Sequence, residues 1–239
     1  MYTQNQLENL LFLDIETAPI APTYDRLPER MRELWDSKML RYQRQEPDKD
    51  AAQLFLDKAG IHAEFGRVVC ISCGVIRFEE DGIPKIRMKS YGGEDEASIL
   101  QEFGQMLNKF TREKDGRSLC AHNGKEFDFP YLGRRYVIQG LEIPYALRVQ
   151  GKKPWEINFV DTMELWKFGD YKAYTSLNLL SAVLDIPSPK DDIDGSQVRE
   201  VFWVEKDYER IKVYCEKDVI TTAQVLLRMS RLPLIDKVI

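Results

Sequence analysis
Ten residues, LLFLDIETAP at 10–19, constrain this chain more than any others. Four apolar residues run together, and then Asp14 and Glu16 follow two positions apart. A strand repeats its side-chain direction every two residues, so both carboxylates leave one face, with their Cα atoms roughly 6.5 Å apart. The apolar run asks to be buried, whereas a carboxylate away from water costs several kcal/mol unless a cation or a donor meets it. A fold that hides this strand has to bring compensation to that face.

The remaining sequence reads as a globular α/β protein. Its 239 residues suit a single domain, 1–239, containing an insertion, and 44% hydrophobic with 11% aromatic residues suffice for a sizeable core. A mean hydropathy of -0.41 without a long apolar run excludes a membrane-spanning helix. The opening MYTQNQLENLLFLDIET carries no basic leader and its apolar stretch breaks at Asp14, so a cytoplasmic protein is expected. A net charge of -5 argues against coating nucleic acid through a broad basic surface, although an enzyme gripping one chain end needs far less. Four cysteines make no disulfide framework. CISC at 70–73 lies in a strand-like run where residues three apart point to opposite faces, which predicts core thiols rather than a zinc site.

Residues 10–17 read as a first strand, and 18–66 interrupt the pattern with Pro19, Pro22, Pro28 and Pro47 between helix-like stretches, an insertion. RVVCISCGVIRF (67–78) and PKIRMKSYGG (84–93) predict a hairpin turning at Asp81 and Gly82. The stripe Ile99, Leu100, Phe103, Met106, Leu107, Phe110 predicts a helix over 95–110. SLCAHN (118–123) reads as a short buried strand, and the segment from Asp128 to Gly140 as a helix. INFVDTM (157–163) reads as a fifth strand, SLNLLSAVL (176–184) as a helix, DIPSPKDDIDGSQ (185–197) as an acidic loop, and 205–230 as a closing helix. That order predicts a mixed sheet with helices on its faces.

Two more acids break local rules. In the closing helix the apolar stripe Ile211, Tyr214, Cys215, Val219, Val225, Leu226 includes an aspartate at 218. Asp128 opens a helix after a buried strand. Taken singly each has a plain reading: Asp218 half exposed on a skewed stripe, Asp128 a helix cap, Asn123 a turn residue, and Asp-x-Glu a chance pair. Together they fall at the end of a strand, the start of a helix or an inward helix face, the positions that line the rim of an α/β sheet. Carboxylates gathered there repel by up to about 4 kcal/mol per close pair at an effective dielectric of about 20. Bound cations make the arrangement sensible. All-oxygen ligands select Mg²⁺ or Mn²⁺, and paired ions about 4 Å apart clamp a phosphoryl group.

FLDIET, HNGKEFDFPYL and YCEKDV resemble, in order and rough spacing, the three motifs of the DEDD superfamily of 3′-to-5′ exonucleases, Asp-x-Glu, Asn-x-x-x-Phe-Asp and Tyr-x-x-x-Asp. The resemblance spans residues 10–229. AGIHAEFGRVVCIS and LDIPSPKDDIDGS further resemble the stand-alone form of the exonuclease domain of family-B DNA polymerases. It implies a ribonuclease H-like fold with a mixed five-stranded sheet flanked by helices, the first three strands antiparallel and two more parallel to the first. Asp14, Glu16, Asp128 and Asp218 would then be the ligands of two divalent ions, and Tyr214 would position the attacking water. With Val213 and Tyr214 where the superfamily's branches differ, the chain is similar to the tyrosine branch. Tyr214 also lies one helical turn before Asp218, on its face, although a core tyrosine is the other reading. Thr17, Asn123 and Phe127 fall within the motifs as contacts to the terminal nucleotide, Phe127 alternatively in the core. Asp161, in the fifth strand, supports the site or the fold.

RRY (134–136) and RVQGKKPW (148–155) supply Arg134, Arg135, Arg148, Lys152 and Lys153, with Tyr145 and Trp155 nearby, the mixture a single-strand channel needs, or else a solvated loop. The sequence therefore predicts a metal-dependent 3′-to-5′ exonuclease acting on single-stranded nucleic acid, DNA before RNA. An exoribonuclease with the same site and a catalytically silent binding module are the alternatives.

Overall fold
The computed structural model describes residues 1–187 and 192–239. A single helical turn, α1 (Gln4–Leu7), capped by Thr3, leads into β1 (Leu10–Pro19). The chain then leaves the sheet for α2 (Glu29–Gln43) and α3 (Ala51–Lys58) and returns as the hairpin β2 (Gly66–Phe78) and β3 (Pro84–Gly92). α4 (Glu96–Glu113) leads to β4 (Ser118–Ala121), and α5 (Asp128–Ile138) to β5 (Val160–Asp161), which runs straight into α6 (Thr162–Lys167). α7 (Leu177–Val183), α8 (Val198–Glu200) with a π turn over Val201–Glu205, the long α9 (Tyr208–Met229) and β6 (Lys237–Val238) complete the order.

The sheet runs β5-β4-β1-β2-β3-β6. β2 pairs antiparallel with β1 on one side and β3 on the other, while β4 and β5 run parallel to β1. The five expected strands are all present, and a sixth, β6, adds itself to the outer edge of β3 in parallel. The fifth strand is shorter than the 157–163 expected. Asp161 ends it by accepting the Met163 and Glu164 N–H groups at 3.0 and 3.2 Å, which starts α6 at once. The acidic loop expected at 185–197 lies partly outside the described residues.

Period-two alternation sorts β1 between two layers. Leu11, Leu13 and Ile15 pack with α4 and α5 through Leu100, Phe103, Phe129 and Leu132. On the other face Leu10 and Phe12 meet Val219, Ala223, Leu226 and Leu227 of α9, and Ala18 joins Val198, Phe202, Ile211 and Cys215. Asp14 and Glu16 occupy the same row between those two apolar clusters. The thiols of CISC divide as expected, Cys73 into the α4–α5 layer and Cys70 into the α9 layer, both free and buried.

Residues 18–66 build a small core of their own around Trp35, Met39, Leu54, Phe55 and Phe65. Tyr131 of α5 donates its hydroxyl to the Gly60 carbonyl at 2.8 Å, tying this excursion to the main layer. A Cβ on Gly66 would lie 2.2 Å from that hydroxyl, so the position admits glycine alone. Among the described residues no helix is long and apolar enough to cross a membrane.

Candidate active site
β4 pairs with β1 only over Leu10–Phe12, so the N–H of Ile15 on that edge has no strand partner. Asp128, the first residue of α5, fills the gap: its Oδ1 accepts Ile15 N–H at 3.2 Å. The carboxylate therefore reaches across to β1 between the two acids of the opening motif. Its 3% exposure is that of a core residue. One residue past Glu16 the register of β1 on β2 slips, Glu16 facing Cys70 and Thr17 facing Val68, a bulge at the rim of the sheet of the kind that re-aims side chains near sites.

Asp14 and Glu16 each present an oxygen, and Cys215 of α9 its Sγ, all within 4.8 Å of one another. The Cys215 thiol donates to Asp14 at both the carbonyl and Oδ2, each at 3.4 Å. Asp218 follows one turn along α9, and its charge reaches the other three acids. Burial first, then Glu16, Asp128 and Asp218, push the Asp14 carboxyl well above the usual carboxylate range. Burial, then Asp218, Cys70 and Asp128, do the same to Glu16. Asp128 is pushed up to about 7 by burial and by Asp161 and Asp218, against the pull of its own N–H and that of Ile15. These neighbouring charges are negative, and a divalent cation bound among them would relieve them together. In the group of Asp14, Glu16 and Cys215 the carboxylate oxygens are donors of the kind a hard cation takes, beside the softer Cys215 Sγ.

Tyr214 is partly buried against the apolar cluster that holds Cys215, and it lines an open groove with Ile193, Val213 and Lys217. Thr17 leaves β1 on the opposite face from the acids and hydrogen-bonds the Tyr131 hydroxyl. Phe127 packs in the α4–α5 layer with its ring 5.3 Å from that of Tyr131. Asn123, two residues past the end of β4, has a left-handed backbone, φ 61°, and its buried Oδ1 accepts no hydrogen bond among the described residues. Asp161 anchors this turn. Its carboxylate accepts the N–H groups of Asn123 and Lys125 at 3.0 Å each, besides those that start α6.

The basic strip does not assemble as one surface. Arg135 is buried against Glu96, and Arg148 is engaged by Glu142 at 2.5 Å, while Lys153 sits 5.2 Å over the exposed ring of Trp155. Sequence reasoning passed over Cys215 as a functional neighbour. The available signal was its place in the stripe between Tyr214 and Asp218.

This topology is shared with a solved structure of the family B DNA polymerase from the hyperthermophilic archaeon Pyrobaculum calidifontis, with a TM-score of 0.51 and 18% identity over 92% of this chain. The match spans 24% of that polymerase, about a quarter of its length. The molecule has the ribonuclease H-like fold of polymerase exonuclease domains. Residues 60–233 match the family described as predicted 3′-5′ exonuclease related to the exonuclease domain of PolB, and the chain belongs to that family. The matched segment begins after β1, so it contains the elements of Asp128 and Asp218 but not Asp14 and Glu16.

Proposed function
We propose that this exonuclease removes nucleotides from the 3′ end of single-stranded nucleic acid, DNA in preference to RNA, using two divalent ions, Mg²⁺ or Mn²⁺. The observation that supports the reading is that acids from three distant segments act on one another's neighbourhood, the charge of Asp218 raising the proton affinity of Asp14, Glu16 and Asp128. A family related to a polymerase exonuclease domain favours DNA.

Asp14, Glu16, Asp128 and Asp218 would hold the ions, which would supply Lewis-acid stabilisation of charge on the scissile phosphate. The chain does the positioning. β1 fixes Asp14 and Glu16 on one face, and the Ile15 N–H holds Asp128 between them. Cys215 restrains Asp14 through its thiol. Tyr214, one turn before Asp218, orients the attacking water through its hydroxyl. Asn123 borders the terminal nucleotide, while Thr17 and Phe127 point into the α4–α5 layer and support that wall from behind.

Labelled single-stranded DNA and RNA, each with a free or a blocked 3′ end, separate the possibilities when incubated with Mg²⁺, Mn²⁺ or EDTA. Shortening that needs a free 3′ end, a divalent ion and Asp14, and that runs faster on DNA, is the expected result. Faster RNA decay reassigns the substrate, and binding without cleavage in the wild type leaves only a binding module.

A further inference from the structure
The sequence KFGDYKAY, 167–174, follows α6 and takes no part in the site described above. Phe168, Tyr171 and Tyr174 are 88%, 93% and 70% exposed, three aromatic rings in seven residues turned to solvent. Phe168 has a left-handed backbone, φ 47°, and Gly169 follows at φ 89°. A bulky residue rarely adopts that conformation, and here it ends α6 with the ring facing outward. Neither apolar burial nor helix propensity accounts for this loop.

Its location does. The His122 Nε2–H donates to the Thr175 carbonyl at 2.9 Å, and Nδ1 lies 2.9 Å from Thr162 Oγ1, so the end of the loop is clasped to the residue preceding Asn123. Between the loop and the β4–α5 turn lies a pocket of about 280 Å³, lined by Asn123, Lys125, Asp161, Lys167 and Tyr171. Asn123, whose buried Oδ1 accepts no hydrogen bond among the described residues, and the exposed Tyr171 therefore line one cavity. We propose that the loop from Phe168 to Tyr174 is a stacking platform for the bases preceding the 3′ nucleotide of a single-stranded substrate. The inference rests on the exonuclease reading and extends it to a second contact surface.

Charge distinguishes this surface from an electrostatic groove. Lys125 pairs with Glu164, Lys167 lies 3.9 Å from Glu126, and Lys172 follows Asp170 by two residues, the Asp170 Oδ1 accepting the Lys172 backbone N–H at 3.1 Å. Lysines and acids balance, so the platform contributes stacking rather than counterion release. Exposed aromatic faces accept any base, which suits an enzyme whose substrate changes sequence at every step.

The test uses the full chain and oligothymidylate dT12 ending in a 3′ phosphorothioate linkage, with affinity read by fluorescence anisotropy across a salt series. Each of Phe168→Ala, Tyr171→Ala and Tyr174→Ala should weaken binding about tenfold, since stacking of one base is lost. The slope of affinity against salt should stay unchanged. In the combined variant the preference for hydrolysing dT12 over the dinucleotide dT2 should fall about a hundredfold. Tyr171→Trp should retain affinity and be quenched when dT12 is added. Affinity within twofold of wild type in the combined variant overturns the platform, as does a change in its sedimentation that reveals a protein interface. A wild-type chain that neither binds nor trims dT12 overturns the exonuclease reading itself.

Discussion

Glu16 and Glu96 are the same residue type at similar burial, 8% and 3% exposed, and they do opposite things. Glu96, at the start of α4, accepts Arg135 Nε at 2.8 Å and Nη2 at 2.6 Å, the Val68 N–H at 2.7 Å and Gln139 Nε2 at 2.5 Å. Both oxygens are satisfied and the charge is cancelled, so this carboxylate pins β2, α4 and α5 together. Glu16 instead faces Asp218, Cys70 and Asp128, each of which raises its proton affinity. A buried acid with its cation built in is a fastener. A buried acid surrounded by acids is, on the proposed function, a socket for a cation from solution. Asp161 shows a third solution, in which four backbone N–H groups bind one carboxylate and convert it into a turn anchor.

The contrast can be broken from either side. Asp14→Asn or Glu16→Gln should slow hydrolysis by roughly a thousandfold, because several kcal/mol of transition-state charge stabilisation go with the metal site. The same substitutions should raise the urea midpoint of the metal-free protein at pH 8, since mutual repulsion is removed. Glu96→Gln should do the reverse, lowering stability by about 3–5 kcal/mol through the stranded Arg135 while turnover per folded molecule persists. A Glu96→Gln protein as stable as wild type would erase the distinction between fastener and socket.

Proton linkage sharpens it further. Asp128 has an ordinary value of 3.8 and is pushed up to about 7 in the fold, so the folded state holds a proton that the unfolded state has released. Stability of the metal-free protein should therefore fall as pH rises from about 4 to about 7, by up to about 4 kcal/mol from this group, and level off above that. Asp14 and Glu16 are displaced in the same direction and add to the trend. Saturating Mn²⁺ should flatten the curve. Denaturation at a series of pH values, with and without the ion, measures this. The smallest effect belongs to Asp161→Asn, which withdraws an acceptor from the Lys125 N–H and should cost about 1–3 kcal/mol, with a rise in KM from the loosened Asn123 turn.

What the sequence made legible followed from local periodicity. Side chains of a strand take opposite faces in turn, so Asp14 and Glu16, two apart in β1, were assignable to one face before any partner was known, and the α4 stripe predicted its own inner surface. Elements whose existence depends on distant partners were not legible. β6 is two exposed residues held to β3, which no local pattern announces. Arg135 read as part of a basic strip, yet its partner Glu96 lies 39 residues away and only the fold brings them together. Thr17 adjoins the acids in sequence but points to Tyr131, because adjacent strand residues take opposite faces. Nothing in the local pattern marks Phe168, Tyr171 and Tyr174 as solvent-facing, which only the fold makes visible.

Binding of Mn²⁺ followed by electron paramagnetic resonance, with a nucleoside 5′-monophosphate present to occupy the product position, addresses the socket most directly. Wild type and Glu96→Gln should each take up two ions per chain, and Asp14→Asn should lose that uptake. Saturable binding that survives in Asp14→Asn, or none in the wild type, would contradict the account.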